Sequence, residues 1–230
     1  MLIDPKRPKP KFLGVRFDSG SYEHIACEIN LLSRSDSFSY VVTPNVDHVL
    51  MLHPRKPDMV SDQFRQAYAA ARLTLCDSRI LQRLARFHGI SLDLIPGSDL
   101  TTYLFNNGYL CGRKVAIIGG DADMLPELHE RFPTIEFVQH LPPMGVLQKP
   151  NAVETIIRFI EHERAHYVLF TIGAPRSEII GQQCMASGKS VGVGLCVGAS
   201  IEFLLGRKQR APQWIQEMSL EWAYRLIKEP

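Results

Sequence analysis

This chain has no marked excess of charge of either sign. Its 26 Lys and Arg residues are set against 24 Asp and Glu, leaving a formal net charge of +2. That is too weak a field for a protein that grips nucleic acid through its phosphates. It also lacks paired cysteines. Cys27, Cys76, Cys111, Cys184 and Cys196 form no C-x-x-C pair and no zinc-like spacing. Four of the five sit in apolar contexts, which reads as buried, reduced thiols of a cytosolic protein. No long hydrophobic run is present. The most apolar stretch, 191–206, carries Glu202 and is broken by Gly192, Gly194, Gly198 and Gly206, whereas a spanning helix needs about 20 consecutive apolar residues. The N-terminus lacks the apolar core of a signal peptide. Any membrane contact is therefore expected to be peripheral. Internal repeats and low-complexity linkers are also absent.

What is present is a soluble composition, 45% apolar and 22% charged. Lys6, Arg7, Lys9 and Lys11 crowd among Pro5, Pro8 and Pro10, so residues 1–11 read as a disordered basic arm. Residues 12–230 read as one domain with room for two lobes. A second basic group, Arg207, Lys208 and Arg210, lies near the C-terminus. Along the domain, short apolar runs alternate with helical periodicity. Strands are expected over 12–17, 38–42, 73–76, 114–118, 135–138, 167–172 and 190–195. Helices are expected over 22–32, 46–52, 61–71, 78–88, 124–131, 151–164 (with Asn151 as N-cap) and 212–228. Runs without alternation, each followed by a helix, predict a Rossmann-like α/β fold: a mainly parallel sheet with helices on both faces.

Several positions carry candidate chemistry. Thr43-Pro-Asn45 follows a strand, where a hydroxyl and an amide held by Pro44 suit hydrogen bonding to a polar ligand; alternatively, Asn45 only caps the next helix. Asp77 ends a strand and is either a general base facing a cleft or an N-cap. Arg79, Arg83 and Arg86 recur at helical spacing, as a solvated face or an anion-facing stripe. Gly119-Gly-Asp-Ala-Asp123 is a glycine turn that lets a backbone approach a diphosphate, and Asp121 with Asp123 imitates a D-x-D metal motif. Tyr167-Val-Leu-Phe-Thr-Ile-Gly-Ala-Pro-Arg-Ser-Glu178 runs a buried-type strand through a turn into a helix N-terminus, the usual place for phosphates in α/β proteins. Gly192, Gly194 and Gly198 have the wrong spacing for a dinucleotide fingerprint, which favours close backbone packing. Trp214, Met218 and Trp222 fall at i, i+4 and i+8, as a core stripe or a membrane-facing one.

Read together, these strings resemble the WecG/TagA/CpsF glycosyltransferase family. The resemblance rests on Thr43-Pro-Asn45, on Val115-Ala-Ile-Ile-Gly-Gly120, on Gly173-Ala-Pro-Arg-Ser-Glu178 and on Gly206. It rests also on Arg210-Ala-Pro212, Leu220-Glu-Trp222 and Tyr224-Arg-Leu226. It implies transfer of a hexosyl or N-acetylhexosaminyl group from a UDP-sugar to a polyprenyl-diphosphate-linked glycan in exopolysaccharide or other cell-surface polysaccharide synthesis. Inversion, no obligatory metal or other cofactor, and a peripheral place at the inner face of the cell membrane go with it.

By position, Asp77 would be the catalytic base. Thr43, Asn45, Gly119, Gly120, Gly173, Pro175, Ser177, Glu178 and Arg210 would contact substrate. Ser177 stands where that family usually has Gln, Ser78 where it has Gly, and Leu94 near an Arg position, which suggests an altered sugar specificity or a reduced activity. Homo-oligomerisation is left open. Competing readings are a D-x-D metal-dependent transferase, a non-catalytic nucleotide-binding component of a polysaccharide assembly complex, and a dinucleotide-dependent oxidoreductase.

Overall fold

The computed structural model describes residues 9–208. A short antiparallel hairpin, β1 (Lys11–Phe12) and β2 (Val15–Arg16), opens the chain. There follow α1 (Tyr22–Leu32), β3 (Ser39–Val42), α2 (Val46–Leu52), α3 (Met59–Ala70), β4 (Leu73–Thr74), α4 (Arg79–Phe87) and α5 (Gly97–Asn106). The second half runs β5 (Lys114–Ile118), α6 (Met124–Arg131), β6 (Glu136–His140), α7 (Pro150–Glu163), β7 (Tyr167–Phe170), α8 (Arg176–Ser187), β8 (Val193–Cys196) and α9 (Ser200–Leu204). Strands β3 to β8 form one six-stranded sheet in the order β4-β3-β8-β7-β5-β6. Every pairing in it is parallel, as in Val41 with Leu195 and Ile117 with Leu169. This is the Rossmann-like arrangement expected from the sequence.

The unalternating strands are explained by burial on both faces. Val41, Val115, Ile117, Leu169 and Leu195 face a layer made by Ile25 and Ile29 of α1, Leu100 and Leu104 of α5, Leu128 of α6 and Ile201 of α9. Their neighbours Tyr40, Val42, Ala116, Ile118, Val168 and Phe170 face Ile156 and Ile160 of α7 and Ile180 and Cys184 of α8. Successive side chains point to opposite faces, so a strand covered on both sides must be apolar throughout. A third apolar cluster joins Phe12 and Phe17 to α2, α3 and α4 through Val49, Phe64 and Leu81. No helix among the described residues is long and apolar enough to cross a membrane.

Gly194 lies at the centre of β8. A Cβ there would come within 2.8 Å of Phe170 Cε2 and of Phe38 Cζ, so close packing accounts for the glycine. Gly194→Ala should destabilise the fold by about 1–3 kcal/mol through overpacking, measurable as a lower denaturant midpoint at unchanged m-value.

Several expectations need correction. The strand over 12–17 is instead the β1–β2 hairpin, because Leu13 and Gly14 both take positive φ, 47° and 79°, and turn the chain. Asn151 does not cap α7; Pro150 occupies its first turn, where a missing N–H costs nothing, and Lys149 precedes it. Helices α5 and α9 were not anticipated. Three cysteines are buried, but Cys27 and Cys111 are exposed, so at least one of the four apolar contexts was misleading. Of the expected basic arm, residues 1–8 lie outside the described residues. Lys9 pairs with Asp18 at 2.7 Å, and Lys11 begins β1. The helix over 212–228, with Trp214, Met218 and Trp222, also lies outside the described residues.

Candidate functional site

All six strands point the same way, so their carboxyl ends open on one edge of the sheet. Strand order reverses there: the chain moves outward from β3 to β4, while β7 and β8 return to lie between β3 and β5. Open parallel sheets hold ligands in the crevice outside such a switch point. A cleft of about 180 Å³ occupies that position. Thr43 and Asn45 reach it from the end of β3, Asp77 from beyond β4, Gly173 and Ala174 from beyond β7, and Val197 and Gly198 from beyond β8. The N-terminal residues of two long helices complete it, Gly97 and Ser98 of α5 and Ser177 and Glu178 of α8. Helix N-termini present unpaired N–H groups and a partial positive charge.

Asp77 is partly buried and faces this cleft. It does not cap the helix that follows it, because Ser78 does so, accepting from Leu81 N at 3.3 Å. The Asp77 carboxylate reaches across instead, and its Oδ1 accepts the Gly97 N–H at 2.7 Å. The residue preceding α5, Pro96, offers no side-chain cap. Asp77 thus supplies from a distant loop the acceptor that the N-terminus of α5 needs. The bond fixes the carboxylate at the lip of the cleft. Gly97 is a glycine because a Cβ would lie 3.0 Å from Thr43 Oγ1.

Thr43 donates its hydroxyl to Cys196 O at 2.9 Å, tying the ends of β3 and β8 together. Asn45 caps α2 in a reciprocal box: His48 N–H donates to Asn45 Oδ1 at 3.1 Å, and Asn45 N–H donates to His48 Nδ1 at 3.0 Å. Asn45 is therefore an N-cap, and it also lines the cleft. Gly173 takes φ +73°, and its carbonyl accepts from Ser177 Oγ at 3.3 Å. Pro175 sits at the start of α8 but is not among the cleft-lining residues.

Glu178 is the most unusual group in the cleft. It is 2% exposed, and its Oε2 has no hydrogen-bond partner. Burial pushes its carboxyl up to about 7, with Arg176 opposing in part. Across from it, His48 Nε2 stands 3.8 Å from Glu178 Oε1, beyond hydrogen-bond range. Burial lowers the His48 imidazole to about 4. Geometry agrees, because Nδ1 accepts the Asn45 N–H and cannot also carry a proton. Near neutral pH this pair is therefore an uncharged imidazole beside a carboxyl group poised to titrate, rather than a salt bridge.

The Gly119-Gly120 turn is not among the residues lining this cleft. It packs tightly: a Cβ on Gly119 would meet Ile172 Cγ2 and Thr171 Oγ1 at 2.7 Å, and Gln139 Nε2 donates to Gly119 O and Asp121 O at 2.9 Å. Asp121 is engaged by Arg207, whose Nη1 lies 2.7 Å from Oδ2, while the rest of that guanidinium forks onto Glu127. The hydrogen bonds from Arg207 hold both carboxyl groups below their usual range. Among the described residues no three His, Cys, Asp or Glu side chains are grouped to hold a metal ion. Arg210 lies outside the described residues.

Reading the sequence missed His48, Gly97 and Ser98 as lining residues. The Asn45-x-x-His48 spacing of a capping box was a usable signal for the first. Pro96-Gly97 reads as a loop and hid the helix start.

The chain is 24% identical over 230 residues to the N-acetylglucosaminyldiphosphoundecaprenol N-acetyl-beta-D-mannosaminyltransferase of Staphylococcus aureus (strain MRSA252), covering 95% of this chain and 84% of that relative. The model of the glycosyl transferase WecG/TagA/CpsF family matches residues 10–230. With nearly its whole length matched and a parallel sheet opening on a polar cleft, this chain belongs to the WecG/TagA/CpsF family of glycosyltransferases.

Proposed function

We propose that this glycosyltransferase moves a hexosyl or N-acetylhexosaminyl group from a UDP-sugar, with inversion, to a polyprenyl-diphosphate-linked glycan. The observation that carries the reading is the Asp77 carboxylate, pinned by Gly97 N–H at 2.7 Å on the rim of the switch-point cleft. In a single displacement, the acceptor hydroxyl oxygen bonds to the anomeric carbon. The bond from that carbon to the diphosphate oxygen breaks, and its electron pair leaves with UDP. Asp77 takes the hydroxyl proton. General-base assistance of this kind contributes about 10²–10⁴-fold.

Thr43 and Asn45 line the same rim and would orient substrate there. The leaving diphosphate gathers negative charge, which the amide ends of α5 and α8 stabilise. Arg210 is assigned a contact on the resemblance alone. By the name of the relative, the acceptor is N-acetylglucosaminyl-diphospho-undecaprenol or a close analogue. The work would be done at the inner face of the cell membrane, in exopolysaccharide or other surface-polysaccharide synthesis.

We assign no metal to the reaction. Asp121, the first carboxylate of the D-x-D string, is engaged by Arg207 and does not line the cleft. Turnover should be unchanged in EDTA, and a loss restored by a divalent cation would overturn this assignment. The overall reading is tested by thermal-shift screening against UDP-sugars, since a ligand of the native state raises the apparent Tm. UDP release is then measured with polyprenyl-diphosphate-linked N-acetylglucosamine supplied. UDP-sugar binding without UDP release would favour a non-catalytic component instead.

A further inference from the structure

Glu178 stands apart from the other cleft residues. Its neighbours come from four elements as well as its own: His48 on α2, Tyr40 on β3, Tyr68 on α3, Cys196 on β8 and Arg176 on α8, while Asp77 lines the same cleft. Burial raises Tyr40, Tyr68 and Cys196 far from neutrality, so these three remain uncharged. His48 is uncharged for the geometric reason given above. The side chain is almost wholly covered, yet Oε2 has no partner. A buried carboxyl oxygen without a partner costs free energy unless something else supplies the bond. Glu178 lines the cleft, so a ligand seated there that reaches this covered oxygen would supply it.

We propose that Glu178 binds the donor directly, giving a carboxyl O–H to a neutral oxygen of the transferred sugar. This rests on the cleft being the UDP-sugar site. An ionised Glu178 has lost that proton and adds a second negative charge to a cleft that already holds Asp77 and would face an anionic donor. The protonated enzyme is therefore the binding form, and donor binding draws a proton into the site when the solution is alkaline to the group.

The test is calorimetric titration of the full chain with UDP-N-acetylmannosamine at pH 6 and pH 8, in buffers of differing ionisation enthalpy. For a carboxyl that titrates at about 7, affinity should fall about tenfold between those pH values, the change in the protonated fraction of a single group. Binding at pH 8 should take up close to one proton. Glu178→Gln, whose amide N–H can replace the O–H, should bind with little pH dependence and no proton uptake. Glu178→Ala should bind weakly at both pH values.

Equal proton uptake in wild type and Glu178→Gln would overturn the proposal while leaving the donor site standing. Failure of the wild type to bind the UDP-sugar at pH 6 would overturn both. Should the variants misfold, the infrared carbonyl band of a protonated carboxyl group in the wild type at pH 6 decides the matter. The band must be present and must move on adding the UDP-sugar, and an unmoved band refutes the proposal.

Discussion

Asp77→Asn should lower sugar transfer by about 10²–10⁴-fold, the usual worth of a general base, while UDP-sugar binding and Tm stay close to wild type. Asparagine keeps an oxygen where Oδ1 now accepts the Gly97 N–H at 2.7 Å. The N-terminus of α5 therefore retains its acceptor, and only the proton-accepting capacity is lost. Asp77→Ala removes both. It should lose activity to the same degree and also destabilise by about 1–3 kcal/mol, because the Gly97 N–H is left without its bond. The pair of variants separates the chemical role from the structural one. Transfer by Asp77→Asn at wild-type rate would sink the base assignment. A destabilised Asp77→Asn protein would show that the carboxylate's charge, and not only its oxygen, holds α5.

Glu178→Gln should alter the pH dependence of stability by about 3 kcal/mol. In the folded chain Glu178 titrates at about 7, against 4.5 for an unperturbed glutamate. The folded state thus keeps a proton that the unfolded state releases. Stability from this source is complete below 4.5 and is lost as pH rises through 7. His48 acts in the opposite sense, lowered to about 4 from 6.5. The folded state resists its protonation, so its contribution is present above 6.5 and is lost as pH falls toward 4.

Between pH 4.5 and 6.5 the two nearly cancel, and the wild type should be almost flat. The variant keeps only the His48 contribution and should become more stable as pH rises. Every tenfold change in a protonation equilibrium is worth about 1.4 kcal/mol, so between pH 4.5 and 7 the two proteins diverge by about 3 kcal/mol. In a chain of this size that is roughly 6–12 °C in Tm. Thermal melts at closely spaced pH values would measure it, and a wild-type-to-variant difference that is constant with pH would show that Glu178 does not titrate in this range.

Much of the fold was legible because local signals agreed with the tertiary result. α1, α2, β5 and α6 occupy the residues expected from periodicity. β3 and α8 start where an apolar run or a Pro turn placed them to within a residue or two. Misreadings arose where one local signal hid another. Leu13-Gly14 turned an apparent strand into a hairpin. Pro96-Gly97 looked like a loop, although it begins α5. Asn151 looked like a cap, but Pro150 had already started its helix.

The sequence by itself determined the layer architecture and the family, because unalternating strands can only be buried on both faces and because the motif strings stand in order along the chain. It also marked Thr43, Asn45, Asp77, Gly173, Ser177 and Glu178 as strand-end residues that converge. The tertiary structure alone decided where each is held and what it bonds to. Asp77 proved to bind Gly97, 20 positions away, and Gly119-Gly120 proved to be a packed turn outside the cleft. In sequence Glu178 is only the last residue of the Gly173–Glu178 string, read as a substrate contact. Only the closing of β3, α2, α3 and β8 around it removes the water that a charged carboxylate needs, and desolvation is a property of the assembled surroundings, which no stretch of sequence carries.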